Sequence, residues 1–409
     1  MIKSKNILYE SREQLVEELS HIKIRKPDRV LVQVFCGVMN LELIESIINV
    51  FNEHLPGTPL IGATTSGEII NGTFLGNRIV INITSFQQTA VKSVLIEETE
   101  DVDAVGEKLA REIGTESTKA VILLGRGLED GQSVDDFKLM QSIQVHFPGI
   151  TVAGGQAVDN STTEKTYVFT EKGITSTGFV GASLNSERLT VLRTCNLNWT
   201  PIGKKMMVTE TEGNRIISID GQPAFEVFKY YLGNRVVDDI ELLSAEFPLM
   251  SPKHGCFQVV HMTDIHEDGS MSFTHPVMSD TWVQFGYCHV GLFPDGVDTT
   301  FNVLEGEGME VAFVYSSVRR KQLFKDVIDV ELAPLKALNC SAGFFSHGQY
   351  YRTQSGKNMF SGEALTLLAL SEGFAFGKDS KSVKEYGKEV SRKYLILTGL
   401  QEIIKRTTA

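Results

Sequence analysis

A pattern of strand, helix and strand followed by a glycine-containing turn occurs three times in the chain, and it constrains the fold more than any other feature. Each copy opens with an apolar run typical of a buried strand, and a helical pattern separates this run from the turn. The first strand and the first glycine of the turn are 32, 34 and 32 residues apart. The pairs are Val30 and Gly62, Ala120 and Gly154, and Val311 and Gly343. This nearly constant spacing predicts three units of one architecture.

The turns of copies one and three agree beyond that glycine, whereas copy two keeps only the glycine in register. Ser66, Gly67 and Glu68 align with His347, Gly348 and Gln349, in that order. Strand-like runs follow each turn, as expected for a hairpin or meander. The repeat therefore predicts an α/β fold of the mixed α+β kind, in which strand-helix-strand-hairpin units form layered sheets covered by helices.

The segment between copies two and three departs from the repeat. It contains a helical pattern, Ala224–Leu232, that Gly233 would stop, and later a hairpin signal, Asp268-Gly269, between two β-rich runs. We place a domain boundary near residues 234–250. The predicted domains are a longer N-terminal module, 25–235, a shorter C-terminal module, 236–378, and an amphipathic C-terminal helix, 379–409, which either packs on the domain or begins a signalling helix.

Composition and charge exclude several classes of protein. A formal net charge of -12 argues against nucleic-acid binding, because that function needs a basic surface to displace counterions from phosphates. No apolar run approaches the roughly 18 residues of a membrane-spanning helix, and the first residues lack the apolar segment of a secretory signal. We therefore expect a cytoplasmic protein that binds neither nucleic acid nor membrane. The five cysteines include no CxxC pair, so the sequence predicts neither a disulfide framework nor a zinc site.

Three segments of the chain resemble the FIST family of bacterial sensory modules. They are PLIGATTSGEI after the first helix, TPIG with IISIDGQPAFEVFKYYLG in mid-chain, and AGFFSHGQYY followed by NMFSGEALTLLAL near the end. Their order and spacing cover most of residues 25–375. The resemblance implies a sensor of small molecules such as amino acids, with a histidine kinase or a cyclic-di-GMP enzyme as partner. Some family members bind haem and sense nitric oxide, so the resemblance leaves the cofactor open between none and haem.

The first turn offers candidate ligand contacts. Its two glycines resemble a phosphate-binding loop, but Glu68 and Ile69 stand where that loop needs Lys and Ser or Thr, so we reject nucleotide binding there. A tight turn that needs positive φ explains the glycines equally well. In the functional interpretation, hydroxyl groups and one carboxylate face a ligand. The candidate residues are Gly62, Thr64, Thr65, Ser66 and Glu68.

The third turn and three arginines complete the candidate ligand site. The family usually has Tyr-Gly-Glu where this chain has His347-Gly348-Gln349, so the ligand at this turn is open. The arginines follow first strands, whose carboxyl ends usually face ligands, and an arginine can clamp a carboxylate bidentately. Solvated arginines are the alternative. The candidates are Ser346, His347, Gln349, Arg126, Arg319 and Arg320.

Histidines are dense between residues 254 and 289, which raises the question of a metal or haem. Their spacings match no zinc signature. His261 and His347 are the candidates for an axial haem ligand. On one continuous strand His261 and Met262 would point to opposite faces, so they would not both hold one iron.

Motifs for enzymatic chemistry are missing from the sequence. It has no GxSxG elbow and no GxGxxG after a strand, so we expect no catalytic residues and no enzyme. The acidic cluster of Glu129, Asp130, Asp135 and Asp136 is interpreted as a solvated loop and helix N-terminus. The sequence thus predicts a small-molecule-binding sensor in bacterial signal transduction. A haem-based nitric-oxide sensor and a ligand-independent interaction scaffold are the alternatives.

Overall fold

The computed structural model describes residues 1–97, 102–127, 135–158, 165–197, 199–234, 243, 246–253, 256–288, 308–324, 328–353 and 355–373. The predicted C-terminal helix, 379–409, lies outside the described residues. The chain forms two compact units. The first comprises Met1–Leu197 with Asp295–Val383, and the second comprises Asn198–Pro294 with Lys384–Ala409. These units divide the chain at other places than the predicted modules 25–235 and 236–378.

The first unit consists of three copies of one module. Copy one contains β1 (Lys3–Leu8), α1 (Arg12–Ser20), β2 (Val30–Cys36), α2 (Leu41–His54), β3 (Leu60–Thr64), β4 (Glu68–Ile70), β5 (Thr73–Leu75) and β6 (Ile79–Ser85). Copy two contains β7 (Ala90–Ile96), α3 (Val102–Ile113), β8 (Thr118–Gly125), α4 (Asp136–His146), β9 (Thr151–Gln156), β10 (Val168–Thr170), β11 (Gly173–Thr175) and β12 (Phe179–Asn185). Copy three opens with β13 (Thr190–Asn196), after which the chain enters the second unit.

The second unit contains β14 (Trp199–Glu212), β15 (Arg215–Ile219), β16 (Gln222–Pro223), α5 (Ala224–Leu232), β17 (Leu249–Lys253), β18 (Cys256–Val260), β19 (Met262–Ile265), β20 (Met271–Phe273) and β21 (Trp282–Cys288). Copy three then resumes with β22 (Val311–Ser317), α6 (Val318–Phe324), α7 (Ile328–Leu332), β23 (Ser341–Ser346), β24 (Gln349–Arg352), β25 (Asn358–Ser361) and β26 (Leu365–Ser371). The second unit is thus inserted into copy three, at the place in the chain where copies one and two carry α1 and α3.

The three predicted strand-helix-strand units are confirmed, and so is the mixed α+β class. One helix differs from its prediction. The pattern over residues 321–338 predicts one helix, but the described chain has α6, α7 and a 3-10 helix at Ala333–Ala337. Pro334 lies at the start of that 3-10 helix, where its ring and missing N–H prevent an α-helix from continuing.

Each copy builds a six-stranded sheet that is completed by another copy. The central pairs β2 and β3, β8 and β9, and β22 and β23 are parallel. On the far side of β2, β8 and β22 lie the antiparallel return strands β6, β12 and β26. The remaining edge is covered by a hairpin from a different copy, because β10 pairs with β3, β24 with β9, and β4 with β23. The sequence predicts the hairpins, but their cyclic exchange is visible only in the structure.

The repeated glycine is explained by this arrangement. A Cβ atom on Gly62, Gly154 or Gly343 would lie 2.8, 1.9 or 1.7 Å from a carbonyl oxygen of the parallel partner strand. In each sheet the same glycine also stands opposite the second residue of the exchanged hairpin's first strand. Close backbone approach on one side and an incoming hairpin on the other leave no room for a side chain.

The second unit is an antiparallel sheet in the order β18-β17-β21-β14-β15-β20-β19. The helix α5 has the predicted bounds and ends before Gly233, whose φ is 77°. Its Phe228 packs against Phe273 and Phe285 at ring centroid distances of 6.2 and 4.9 Å. The predicted strand through His261 is broken there, since β18 pairs with β17 whereas β19 pairs with β20.

We expect Gly343→Ala to destabilise the protein by about 1–3 kcal/mol, because the new methyl group would collide with the carbonyl of Val314 rather than with a flexible side chain. Urea unfolding followed by circular dichroism measures the change. Gly76→Ala is the matched control, because its nearest neighbour atom would lie 3.6 Å away. Equal unfolding midpoints for the two variants would contradict the close-approach explanation.

Candidate functional site

The turns of the three copies meet at one place, which we call the turn junction (residues 64–68, 156–158 and 346–349). Three equivalent backbone hydrogen bonds hold it together, and each is 2.9 Å long. Phe345 N donates to Gly67 O, Gln156 N donates to Gly348 O, and Thr64 N donates to Tyr167 O. Each bond joins the end of a parallel strand to the residue that precedes another copy's exchanged hairpin. The junction therefore brings together the first-turn and third-turn candidates of the sequence analysis.

A buried carboxylate lies at the first turn. Glu68 is fully buried, and it accepts hydrogen bonds from Thr65 Oγ1 at 2.5 Å and from Arg78 N at 3.0 Å. Burial raises the pKa of Glu68 to about 7, although these bonds and the charge of Lys321 lower it. Lys321, on α6 of copy three, donates to Ser66 Oγ at 2.8 Å, and burial lowers its pKa. Glu68 is thus hydrogen-bonded within copy one and lies in the field of a lysine from copy three.

The third turn repeats this geometry with an amide. Gln349 Nε2 donates to Ser346 Oγ at 2.9 Å, and Gln349 Oε1 accepts from Ala364 N at 3.0 Å. Ser346 and Gln349 are both fully buried, whereas His347 is half-buried. Gln349 thus bonds a hydroxyl of its turn and a backbone N–H with a neutral amide, where Glu68 makes the equivalent two bonds with a carboxyl group.

An acid that the sequence predicts to be solvated lies buried beside the second turn. Asp136, the first residue of α4, is 2% exposed, so its assignment to a solvated helix N-terminus is wrong. It accepts from Tyr350 Oη and from Gln156 Nε2, both at 2.9 Å. Burial raises its pKa to about 7, which the charge of the half-buried Arg126 partly offsets. Asp135 is the residue that caps the helix, accepting from Lys138 N at 3.0 Å.

A sequence signal for Asp136 was present. When two adjacent acids begin a helix, the first caps the backbone and the second lies inside the first turn, on whichever face the helix presents there. Here that face is the buried one. Glu129 and Asp130 of the same cluster lie outside the described residues.

The remaining arginines lie in two different settings. Arg320 is 2% exposed and forms an ion pair with Glu331, which is itself buried, while its Nη1 donates to Leu197 O at 3.1 Å. Arg319 is partly exposed, and its Nε lies 3.2 Å from Glu363 Oε1. Both guanidinium groups are thus paired with carboxylates of copy three. Gly62 and Thr64 are buried, and Thr64 Oγ1 accepts from Tyr167 N at 3.0 Å.

The setting of His261 does not fit a porphyrin. His261 is 3% exposed, and its ring meets Trp199 edge-on with centroids 5.5 Å apart. Two cavities of ≈ 510 and ≈ 580 Å³ are formed by the described residues, and neither His261 nor His347 lines them. The break in the strand at His261 removes the premise that His261 and Met262 alternate along one continuous strand.

Within the ranges that the structure describes, no group of three His, Cys, Asp or Glu side chains could hold a metal ion. Cys36, whose pKa burial raises to about 12, is a core thiol. Among the helices described, none is long and apolar enough to span a bilayer.

Comparison with known families agrees with the architecture. Two family models match the chain, the FIST N domain over residues 30–222 and the FIST C domain over residues 224–352. The chain belongs to the FIST family. FIST domains are small-molecule-sensing modules of signalling proteins. The boundary between the two matched ranges, at residues 222–224, falls inside the second unit, so this unit contains strands from both matches. No curated protein matches the chain.

Glu68→Gln tests whether this FIST protein carries a neutral acid in its first turn. A folded pKa of about 7 against an ordinary value of 4.5 means that the native state loses stability as pH rises from 4.5 through 7. We expect the variant to match the parent within about 1 kcal/mol at pH 5 and to exceed its stability by about 3 kcal/mol at pH 8. Urea unfolding at both pH values measures this.

Gln349→Glu is the mirror control, since it places a carboxylate in the equivalent turn and should lose stability at pH 8. A Glu68→Gln effect of equal size at pH 5 and pH 8 would show that Glu68 ionises normally.

Tyr350→Phe tests the second acid. Loss of the hydroxyl leaves Asp136 with one donor fewer in a buried setting, so we expect the free energy of unfolding to fall by about 1–3 kcal/mol. The loss should be greater at pH 8, where the carboxylate form needs the donor. A double-mutant cycle with Asp136→Asn isolates the pair, and additive effects would show that the two groups do not interact.

Proposed function

We propose that this FIST protein is a sensor that binds a small molecule and passes its ligand state to a histidine kinase or a cyclic-di-GMP enzyme. The observation that carries the proposal is the turn junction, where the turn of each copy is hydrogen-bonded to the hairpin that another copy contributes to its sheet. A ligand that shifts one turn therefore acts on the sheets of the other copies as well.

The side chains at the junction support a role in transmission. Lys321 of copy three holds Ser66 of copy one, and Tyr350 of copy three holds Asp136 of copy two. These bonds cross between copies, so a displacement of one copy changes the surroundings of a buried acid in another. If the network has one arrangement with ligand and another without it, a partner protein can bind the two states differently.

The proposal assigns binding, and not catalysis, to the chain. Thr65 and Glu68 form a hydroxyl-carboxylate pair of the kind that activates nucleophiles, but both side chains are fully buried. A substrate has no access to them in this arrangement. The half-buried His347 and Arg126 and the partly exposed Arg319 are the junction-side groups that a ligand can reach.

Thermal-shift screening of ligand-free protein against metabolites, followed by hydrogen exchange with any hit, tests the proposal. We expect one compound class to raise the unfolding temperature and to protect amides of hairpins in more than one copy. Stabilisation by no compound would count against sensing. Protection confined to the contact residues would contradict transmission through the junction, and a Soret band on adding hemin would favour a haem sensor instead.

A further inference from the structure

The three exchanged hairpins occupy equivalent places in their sheets. The hairpin from copy two differs from the other two in its residue types at two positions. In the two hairpins from copies one and three, glycine precedes the first strand and phenylalanine occupies the middle of the second strand. A Cβ on Gly67 would lie 2.6 Å from the Phe74 ring, and a Cβ on Gly348 would lie 2.0 Å from the Phe360 ring. In the hairpin from copy two, Tyr167 and Ile174 occupy these positions. The aromatic ring has moved from the second strand to the residue before the first.

This exchange of residue types changes how the hairpin meets the neighbouring helix. Phe360 packs edge-on against Phe137 of α4 with centroids 6.2 Å apart. The backbone N–H of Phe74 donates to Asp329 Oδ1 of α7 at 3.0 Å. Between α2 and the hairpin β10–β11, where Ile174 stands, lies a cavity of ≈ 510 Å³ that is open to solvent. Its size is in the range of small-molecule sites.

The cavity walls combine apolar and hydrogen-bonding groups. Tyr167, Ile174 and the 41% exposed Leu41 supply apolar surface. Along the facing side of α2, the side chains of Glu45 and Asn49 make no hydrogen bond or ion pair with the part of the chain that the structure describes. Such a wall suits a ring that bears polar substituents.

The charged side chains that line the cavity determine which ligand charge is favoured. Glu171 uses both carboxylate oxygens within the protein, accepting from Leu60 N at 3.0 Å and from Ser93 Oγ at 2.7 Å. Lys172 Nζ lies 3.6 Å from the same carboxylate, which balances its charge. The carboxylate of Glu45 is left to face the cavity, so a cation is favoured over an anion.

We infer that the cavity between α2 and the hairpin β10–β11 binds a small ring-bearing amine. The inference rests on the proposed sensing function and deepens it by naming a place and a ligand class. Hydrogen bonds also connect the cavity to the turn junction. Thr64 N donates to Tyr167 O at 2.9 Å, and Thr64 Oγ1 accepts from Tyr167 N at 3.0 Å. A ligand that moves the Tyr167 ring moves a backbone group of the junction.

Tryptamine and indole-3-acetate share the indole ring system and carry opposite charges. Ligand-observed NMR measures the binding of each probe to the full chain. We expect tryptamine to bind at least about tenfold more tightly than indole-3-acetate. Ile174→Phe, which restores the ring of the other hairpins, should weaken tryptamine by about tenfold or more, whereas the volume-conserving control Ile174→Leu should change it by less than about threefold. Glu45→Gln should weaken tryptamine and leave neutral indole unaffected.

Several outcomes would overturn the inference. They are undiminished tryptamine binding to Ile174→Phe, equal affinity for the two charged probes, and no binding of tryptamine to the parent protein. If Ile174→Phe is less stable than the parent by circular dichroism, Tyr167→Gly/Ile174→Phe reproduces the residue pair of the other hairpins and serves in its place. A metabolite that binds the parent and Ile174→Phe equally would place the site elsewhere while leaving the sensing function intact, whereas failure of every screened compound would remove both.

Discussion

The exchange of hairpins between copies is the interaction on which the first unit depends. Each parallel pair leaves one strand, β3, β9 or β23, with a row of N–H and C=O groups that no strand of its own copy covers. An uncovered edge of this kind costs hydrogen bonds and invites association with other chains. The incoming hairpin covers it, and because the exchange is cyclic, every sheet needs all three copies. The unit is therefore a closed body, unlike a linear repeat array in which each repeat contacts only its neighbours.

The three turns keep one backbone geometry while their buried polar groups differ. Gln349 shows that a neutral amide satisfies the donors around this turn, yet copy one has Glu68 at the equivalent position. A buried acid where an amide would fit costs stability at neutral pH, and the fold gives no structural reason for it. Asp136 adds a second acid with a raised pKa near the same junction. Costs of this kind concentrate where function requires them, which is why the junction, and not the cores of the sheets, is the place to expect signalling chemistry.

The sequence predicts much of the module and little of its assembly. The strands around Gly62 and Gly343 and the helix α2 follow from apolar periodicity and spacing, and the alignment of Glu68 with Gln349 describes a real equivalence. The exchange could not be predicted, because a short hairpin has the same pattern whether it pairs with its own sheet or with a neighbour's. Copy two lost its register because its hairpin begins fourteen residues after the first glycine, whereas the other two begin six residues after theirs. That longer turn hid the equivalence of Tyr167 with Gly67 and Gly348.

The departures from threefold equivalence are where a ligand signal can arise. A body of three equal copies offers three equal sites and no direction for a response. Here copy one has a buried acid, Glu68, in its turn, copy two supplies Tyr167 and Ile174, and copy three receives the inserted unit. From the cavity, Tyr167 bonds to Thr64, and the adjacent Thr65 bonds to Glu68, so a short covalent and hydrogen-bonded path joins the cavity wall to the buried acid. Because linkage is reciprocal, any coupling along this path acts in both directions: a ligand that changes the pKa of Glu68 would itself bind more or less tightly according to the protonation of Glu68.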